Sequence, residues 1–218
     1  MEKQDIIVVL QKLVADSKKR NFIQSIDLTI NLKNLNLKKP EEQIDLFQTL
    51  PFTVGKKRTV CAIVGPELYE DAKKVCDFVI HSDDLDKYKE NVRNAKNLAR
   101  KYDFFIAQAN LMTKVAAVFG KTLGPKGKMP NPKIGAVVPP KTNLTALVDK
   151  FQKTVRLLAK TSPLVHVMVG RENQPLDEVA ENIRQIYENL IHHLPKERHN
   201  IKSVQVKLTM GKPYKLAI

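Results

Sequence analysis

The segment Phe119–Lys133 combines flexible backbone positions, rigid backbone positions and positive charge. It holds glycines at 120, 124 and 127, prolines at 125, 130 and 132, and lysines at 121, 126, 128 and 133. Glycine permits positive φ, whereas proline fixes φ near ~−65° and removes an N–H donor. The sequence therefore predicts a bent, stiff loop rather than a helix or strand. Ammonium groups and exposed backbone amides suit an anionic partner such as a phosphate backbone.

A nucleotide-binding loop would be the obvious alternative for this segment. That loop needs Gly, four residues, Gly-Lys and then a hydroxyl residue that holds magnesium. Gly127-Lys128 is preceded by Thr122 where Gly is needed, and Met129 follows where Ser or Thr is needed. The pattern predicts no nucleoside triphosphate site.

The remaining reactive side chains form no catalytic or metal-binding pattern. Asp83, Asp84 and Asp86 lie where a helix N-terminus favours negative charge, and Cys61 and Cys76 are too far apart for a CxxC pair. The five histidines are scattered, so no spacing typical of metal ligands occurs. We predict that the protein is not an enzyme and uses no cofactor or metal.

Charge is distributed unevenly along the 218 residues, whose net charge is +14. Residues 104–171 hold 11 Lys and Arg against one acid, Asp149. Such a one-signed block favours nucleic acid, or an anionic membrane surface, as the partner. Because no apolar run approaches the ~18 residues that span a bilayer, and the N-terminus lacks a signal-peptide pattern, we expect a cytoplasmic protein without a membrane partner.

The two ends of the chain share one style of hydrophobic pattern. Period-two alternation predicts strands, and period-3.6 stripes predict amphipathic helices. The predicted elements are a helix over 4–19, strands Ser25–Leu32 and Ile44–Leu50, alternation over 164–169, a helix Leu176–Leu194 and a strand Ile201–Leu208. These segments are typical of an α+β domain.

The middle of the chain alternates short apolar strands with helices. Strands are predicted at Thr59–Val64, Phe78–His81 and Phe104–Ala107, and helices at Glu67–Val75, Asp84–Lys101, Leu111–Phe119 and Leu144–Leu158. This order is typical of a parallel, doubly wound, Rossmann-like sheet. We predict a discontinuous α+β domain (1–59 and 152–218) into which an α/β domain (60–151) is inserted, so that two chain crossings form a hinge.

A second motif closes the last predicted strand, where Ser203–Lys212 ends in Thr-Met-Gly-Lys. Alone, it fits an ordinary hairpin tip. Together, Leu123–Lys133 and the C-terminal Ser203 with Thr209-Met210-Gly211 resemble the ribosomal protein L-one family, and the similarity extends over the whole chain. The length and the lysine-rich loops resemble archaeal or eukaryotic members.

This resemblance implies a protein of the large ribosomal subunit that binds large-subunit rRNA at the mobile stalk. It also implies contact with exit-site tRNA during release of deacylated tRNA, repression of its own mRNA, contact with other ribosomal components, and a monomer when free. The implied RNA-binding residues are Phe22, Gln24, Ser25, Lys160, Thr161, Ser203, Thr209, Met210, Gly211 and Lys212. The family usually has an acid where this chain has Gln24. Short hydroxyl side chains suit phosphate and 2′-OH groups, and apolar ones pack on sugar or base.

The signature loop of that family matches Gly124, Pro125, Lys126, Gly127, Lys128, Met129, Pro130 and Asn131. Its prolines favour a brace beside the hinge, whereas its lysines favour a second RNA contact, and both interpretations stay open here. Two other functions also remain. The inserted sheet could bind a nucleotide or phosphometabolite in an enzyme, or the basic surface could serve a sequence-blind nucleic-acid chaperone.

Overall fold

The structure is a computed structural model that describes residues 2–140 and 142–217. Numbered along the chain, its strands are β1 Ser25–Leu32, β2 Ile44–Thr49, β3 Val60–Val64, β4 Phe78–His81, β5 Phe104–Gln108, β6 Val137–Val138, β7 Thr154–Ala159, β8 Leu164–Arg171, β9 Ile201–Leu208 and β10 Tyr214–Leu216. Its α-helices are α1 Lys3–Ala15, α2 Pro66–Val75, α3 Leu85–Glu90, α4 Val92–Lys101, α5 Met112–Leu123, α6 Leu144–Lys153 and α7 Leu176–His193.

The chain divides into two compact units, Met1–Lys56 with Lys153–Ile218, and Lys57–Gln152. Unit 1 is built on an antiparallel sheet with the order β10-β9-β1-β8, and it also contains the two-stranded antiparallel sheet β2-β7. In β1 the side chains of Ile26, Leu28, Ile30 and Leu32 are buried, and the intervening ones are half-buried. The predicted alternation is therefore confirmed.

One face of the four-stranded sheet carries the core of unit 1. The apolar side chains of β1, β8 and β9 pack there with residues of α1 and α7, such as Leu10 and Ile186. The opposite face presents the polar side chains of β1 and its neighbours, which remain partly exposed. An antiparallel sheet can leave one face to solvent in this way, and we call this polar side the open face.

Unit 2 is built on a parallel sheet with the order β4-β3-β5-β6. All five residues of β3 are buried, as expected for a central parallel strand covered on both faces. Phe105, Phe119 and Leu123 belong to the buried cluster of this unit. The coarse fold class, a mixed α/β protein with antiparallel sheets and one parallel four-stranded sheet, is confirmed.

Several predicted boundaries are wrong. The helix predicted over Leu144–Leu158 ends at Lys153, and β7 follows, because pairing with β2 buries Val155, Leu157 and Ala159 on alternate positions. The spacing of leucines fitted a helix equally well, and only the partner strand decides between the two periods. The short strands β6 and β10 were not predicted.

Two helices also differ from the prediction. The helix predicted over Asp84–Lys101 is divided at Asn91, whose side chain accepts a hydrogen bond from the Asn94 amide at 3.2 Å and caps α4. The segment predicted as loop from Phe119 onward is helical as far as Leu123. Gly120 does not break α5, since glycine inside a helix only weakens it.

Candidate nucleic-acid interface

The start of β1 and the turn after β9 meet at one end of the four-stranded sheet. The Thr209 amide donates to the Ser25 carbonyl at 3.1 Å, and the Ser25 amide donates to Thr209 Oγ1 at 3.1 Å. The turn itself closes with a bond from the Gly211 amide to the Leu208 carbonyl at 3.0 Å. Both backbones are therefore fixed by reciprocal hydrogen bonds.

Apolar side chains project from this fixed backbone into solvent. Met210 is 62% exposed, Phe22 51% and Ile23 48%. Lys212 is also exposed and adds a cation. We call the surface formed by Phe22, Ile23, Ser25 and Thr209–Lys212 the rim. Ile23 was missed by the sequence reasoning, although the apolar pair at 22 and 23 just before a strand was a usable signal.

Gln24 occupies the same end of the sheet but is buried, with only 2% of its surface exposed. Its side-chain oxygen accepts a hydrogen bond from the Met210 amide at 3.2 Å, and its side-chain nitrogen donates to Glu172 Oε2 at 3.3 Å. The amide group of Gln24 is therefore bonded to protein groups on both sides.

A cleft of about 440 Å³ adjoins the rim between the end of α1 and the turn. Its lining includes the basic side chains Lys18, Arg20 and Lys212. The acid in this lining, Asp16, accepts a hydrogen bond from the Tyr214 hydroxyl, and this bond raises the pKa of Tyr214. The cleft gives the rim a positively charged neighbour, which phosphate groups favour.

Three predicted RNA-binding residues lie at the other end of the sheet. Ser203 pairs with Asn31 in the strand register, and its Oγ accepts a hydrogen bond from Asn31 Nδ2 at 2.9 Å. Lys160 and Thr161 lie in the connection between β7 and β8, and β8 begins opposite Asn31. Because Asn31 lies six positions after Ser25 in β1, this end is about 20 Å from the rim at ~3.4 Å per residue.

Lys160 is part of an ion-pair cluster around Asp45. Its Nζ lies 2.8 Å from Asp45 Oδ2, and Arg156 donates to both oxygens of the same carboxylate at 2.8 and 3.0 Å. The hydrogen bonds from Arg156, together with those from Lys160, hold the pKa of Asp45 at about 2. The ammonium group of Lys160 is thus paired with a carboxylate within unit 1.

The open face connects the two ends of the sheet with polar side chains. His166 Nδ1 lies 3.1 Å from Thr29 Oγ1, and His166 Nε2 lies 3.9 Å from Asp27 Oδ2. Burial raises the pKa of Asp27, against the opposing effects of His166 and Lys207. The alternating sequence pattern predicted that these residues share one face of the sheet, but it did not predict their contacts with one another.

The signature loop of unit 2 directs several of its side chains inward. Lys128 Nζ donates to the Tyr102 carbonyl at 2.6 Å, and Met129 packs against the buried cluster of the unit. Gly127 has φ +63°, and Asn131 caps the following turn through a bond from the Lys133 amide at 2.9 Å. The predicted bent loop is confirmed from Gly124 onward, whereas Lys126 and Lys133 point outward.

The carboxyl end of β3 offers an anion no free N–H group at Gly65 or Pro66. The Gly65 amide, just before α2, donates to Gln108 Oε1 at 2.7 Å, and Gln108 Nε2 donates to Glu67 Oε2 at 3.2 Å. The next residue, Pro66, has no N–H group. Neither Gly65 nor Pro66 can therefore donate to a phosphate, which counts against a phosphate-binding turn between β3 and α2.

The residues that the structure describes contain no group of three or more His, Cys, Asp or Glu that could hold a metal ion. Over the same ranges, 2–140 and 142–217, none of the helices has the length and apolar character needed to cross a bilayer.

The fold and the rim define a basic, mixed α/β protein with a surface suited to an anionic polymer. The chain belongs to the Ribosomal protein L1p/L10e family, whose model matches residues 13–212. The resemblance drawn from the two motifs is thereby confirmed, as is the prediction of a ribosomal protein rather than an enzyme.

Relatives from archaea match over nearly the full length of the chain. The large ribosomal subunit protein uL1 of Pyrococcus abyssi is 40% identical over 216 residues, which cover 99% of this chain and 96% of the relative. The proteins of the same name from Methanothermococcus thermolithotrophicus and Methanococcoides burtonii are 39% and 34% identical. The match covers 98% of both chains for the first, and 99% of this chain and 100% of the relative for the second.

Proposed function

We propose that this chain is a protein of the large ribosomal subunit that binds large-subunit rRNA through the rim and the adjoining open face. The observation that carries the proposal is the fixed turn. Hydrogen bonds between Ser25 and Thr209 hold the backbone, while Phe22 and Met210 remain more than half exposed. Exposed apolar groups on a rigid, basic platform suit a folded RNA, whose sugars and bases they can contact.

The distribution of groups on the rim supports shape-specific binding. Ser25 and Thr209 are short polar residues, and Lys212 with the cleft lysine and arginine supplies charge. Phosphate contacts fix position, whereas contacts to sugars and base edges select the RNA. The rim combines both kinds of group within one end of the sheet.

The experiment is a binding titration with an RNA hairpin from the large-subunit stalk and a random hairpin of equal length. Purely electrostatic binding falls roughly 10³–10⁵-fold between about 50 and 200 mM salt for both RNAs. We expect the stalk hairpin to keep a preference of about 10-fold or more at the higher salt. Equal affinity for the two hairpins would instead support the sequence-blind chaperone.

The finer roles implied by the family resemblance are part of the proposal. They are placement at the mobile stalk, contact with exit-site tRNA, contact with other ribosomal components, and repression of the chain's own mRNA as a free monomer. A translation assay with the chain's own mRNA leader tests repression, which should disappear when stalk hairpin is added as competitor. Repression that survives the competitor would separate the mRNA site from the rim.

The proposal also includes two domains joined by a hinge. The first domain consists of residues 1–59 and 152–218, and the second consists of residues 60–151. Residues 1, 141 and 218 lie outside the described residues. The contacts of Lys128 and Met129 lie within unit 2 and support a structural function of these two side chains inside that unit. The outward Lys126 and Lys133 support an RNA contact. Cross-linking of bound hairpin distinguishes the two, because only a contact produces adducts in the loop.

A further inference from the structure

The buried side chain of Gln24 links two residues that are distant in the sequence. Its Oε1 accepts from the Met210 amide at 3.2 Å, and its Nε2 donates to Glu172 Oε2 at 3.3 Å. The backbone carbonyl of Gln24 also accepts from the Glu172 amide at 3.1 Å. With 2% of its surface exposed, Gln24 has little surface left for RNA.

Only one orientation of the Gln24 amide satisfies both partners. Its oxygen must face the Met210 N–H group, and its NH₂ group must face the Glu172 carboxylate, since a carboxylate accepts and an N–H donates. The Glu172 carboxylate therefore selects the orientation that presents an acceptor to Met210. A hydrogen bond to a charged acceptor is stronger than a neutral one, so this selection is firm.

We propose that Gln24 is a positioning residue that fixes the Met210 backbone for RNA binding, and that Glu172 orients it. The inference deepens the proposed function and rests on it. Gln24 acts through Met210, the most exposed of the large apolar residues described. Without the bond to Gln24, the Met210 amide loses its partner, and the turn keeps only its bonds at Thr209 and Gly211.

In this chain, the acid that the family usually has at position 24 would face the Glu172 carboxylate. Gln24→Glu would therefore remove the donor and place two carboxylates within about 3.3 Å. Like charges at this distance raise the pKa of one member, so that it binds a proton more readily. Other charged groups line the cleft that Gln24 also borders. They are Asp16, Lys18 and Arg20 from the end of α1, and Lys212 from the turn. Arg171 precedes Glu172 in the chain. At neutral pH the two ionised carboxylates at positions 24 and 172 would move apart. Once one of them is protonated, an O–H···O hydrogen bond can form between them.

The test is a double-mutant cycle on stalk-hairpin affinity in the full chain. We expect Gln24→Glu to weaken binding about 10-fold near pH 8, as expected for loss of one such hydrogen bond. Glu172→Gln keeps an acceptor for the Gln24 amide and should change affinity less than about threefold. The double variant restores donor and acceptor in reversed order and should bind within about threefold of the original chain.

Two further readouts separate positioning from general damage. The defect of Gln24→Glu, taken as a ratio to the original chain at each pH, should shrink as the pH falls to about 5, because the shared proton returns. Amide hydrogen exchange at Met210 should quicken in Gln24→Glu and recover in the double variant, even without RNA. If the single variant does not fold, the double variant still tests the pair.

Additive effects in the cycle, or unchanged exchange at Met210, would overturn the inference. If the original chain shows no preference for the stalk hairpin, the proposed function fails first, and the affinity arm fails with it. If that preference is present and Gln24→Glu binds as the original chain does, only the positioning role is lost.

Discussion

Two glycine-containing basic segments of this protein use the same residue types in opposite ways. The rim turn, Thr209–Lys212, has its backbone bonded inward to Ser25 and Gln24, while Met210 and Lys212 face solvent. The signature loop, Gly124–Asn131, directs Lys128 and Met129 into unit 2. Glycine, lysine and methionine therefore form an exposed surface in the first segment, whereas lysine and methionine make internal contacts in the second.

The difference teaches that composition alone does not distinguish a binding loop from a structural one. What decides is where each segment's long-range partners lie. In the rim turn the partners contact backbone groups, so the side chains stay available. In the signature loop the partner contacts a side chain, since the Tyr102 carbonyl accepts a hydrogen bond from the ammonium group of Lys128.

The largest expected contrast in stability compares the two glycines by Gly124→Ala and Gly211→Ala. A Cβ at Gly124 would lie 2.6 Å from the Gly120 carbonyl oxygen, whereas at Gly211 it would lie 3.1 Å from the Leu208 Cβ. We expect about 2–3 kcal/mol of lost stability for Gly124→Ala and less than about 1 kcal/mol for Gly211→Ala. Urea unfolding measures both, and equal losses would contradict the comparison.

The lysines provide the next contrast, through Lys128→Met and Lys212→Met. In Lys128→Met, loss of the charged hydrogen bond to the Tyr102 carbonyl should lower the free energy of unfolding by about 2 kcal/mol, with little change in hairpin affinity. Lys212→Met should leave the free energy of unfolding unchanged and lower the salt dependence of RNA binding by about one phosphate contact. The brace interpretation fails if Lys128→Met weakens RNA binding while the protein stays fully stable.

A smaller effect is expected from Asp45→Asn, which tests the ion-pair cluster that holds Lys160. The pKa of Asp45 is about 2, below its ordinary value of 3.8, so its contribution is present above pH 3.8 and is lost as the pH falls through 2. After solvent screening we expect about 1 kcal/mol at neutral pH. Unfolding measured at neutral and acid pH should show the difference between variant and original chain disappear in acid.

Much of unit 1 could be predicted from local pattern. The bounds of β1 and β9 agree with the sequence prediction, because one buried face imposes strict alternation on each strand. β7 was mistaken for helix since its pairing with β2 depends on residues more than a hundred positions away. Short strands such as β6 carry too few residues to show any period.

The sequence predicted which residue types form the candidate site, but it did not predict which of their side chains face solvent and which are bonded within the protein. Phe22 and Met210 were expected on the surface and are exposed. Gln24 was expected among the RNA contacts, and its burial depends on Glu172 and Met210, which are 148 and 186 residues away. Lys160 was expected to contact RNA, and local sequence gave no indication of its partner Asp45.

The most direct test of the central claim is stalk-hairpin affinity for Met210→Asp, with Val92→Asp as the matched control. Both side chains are at least half exposed, at 62% and 51%, but Val92 belongs to unit 2. We expect Met210→Asp to weaken binding about 100-fold through lost apolar contact and added phosphate repulsion, with unchanged unfolding, and Val92→Asp to bind within about threefold of the original chain. Unchanged affinity in a folded Met210→Asp protein would contradict the account and remove the rim as the RNA site.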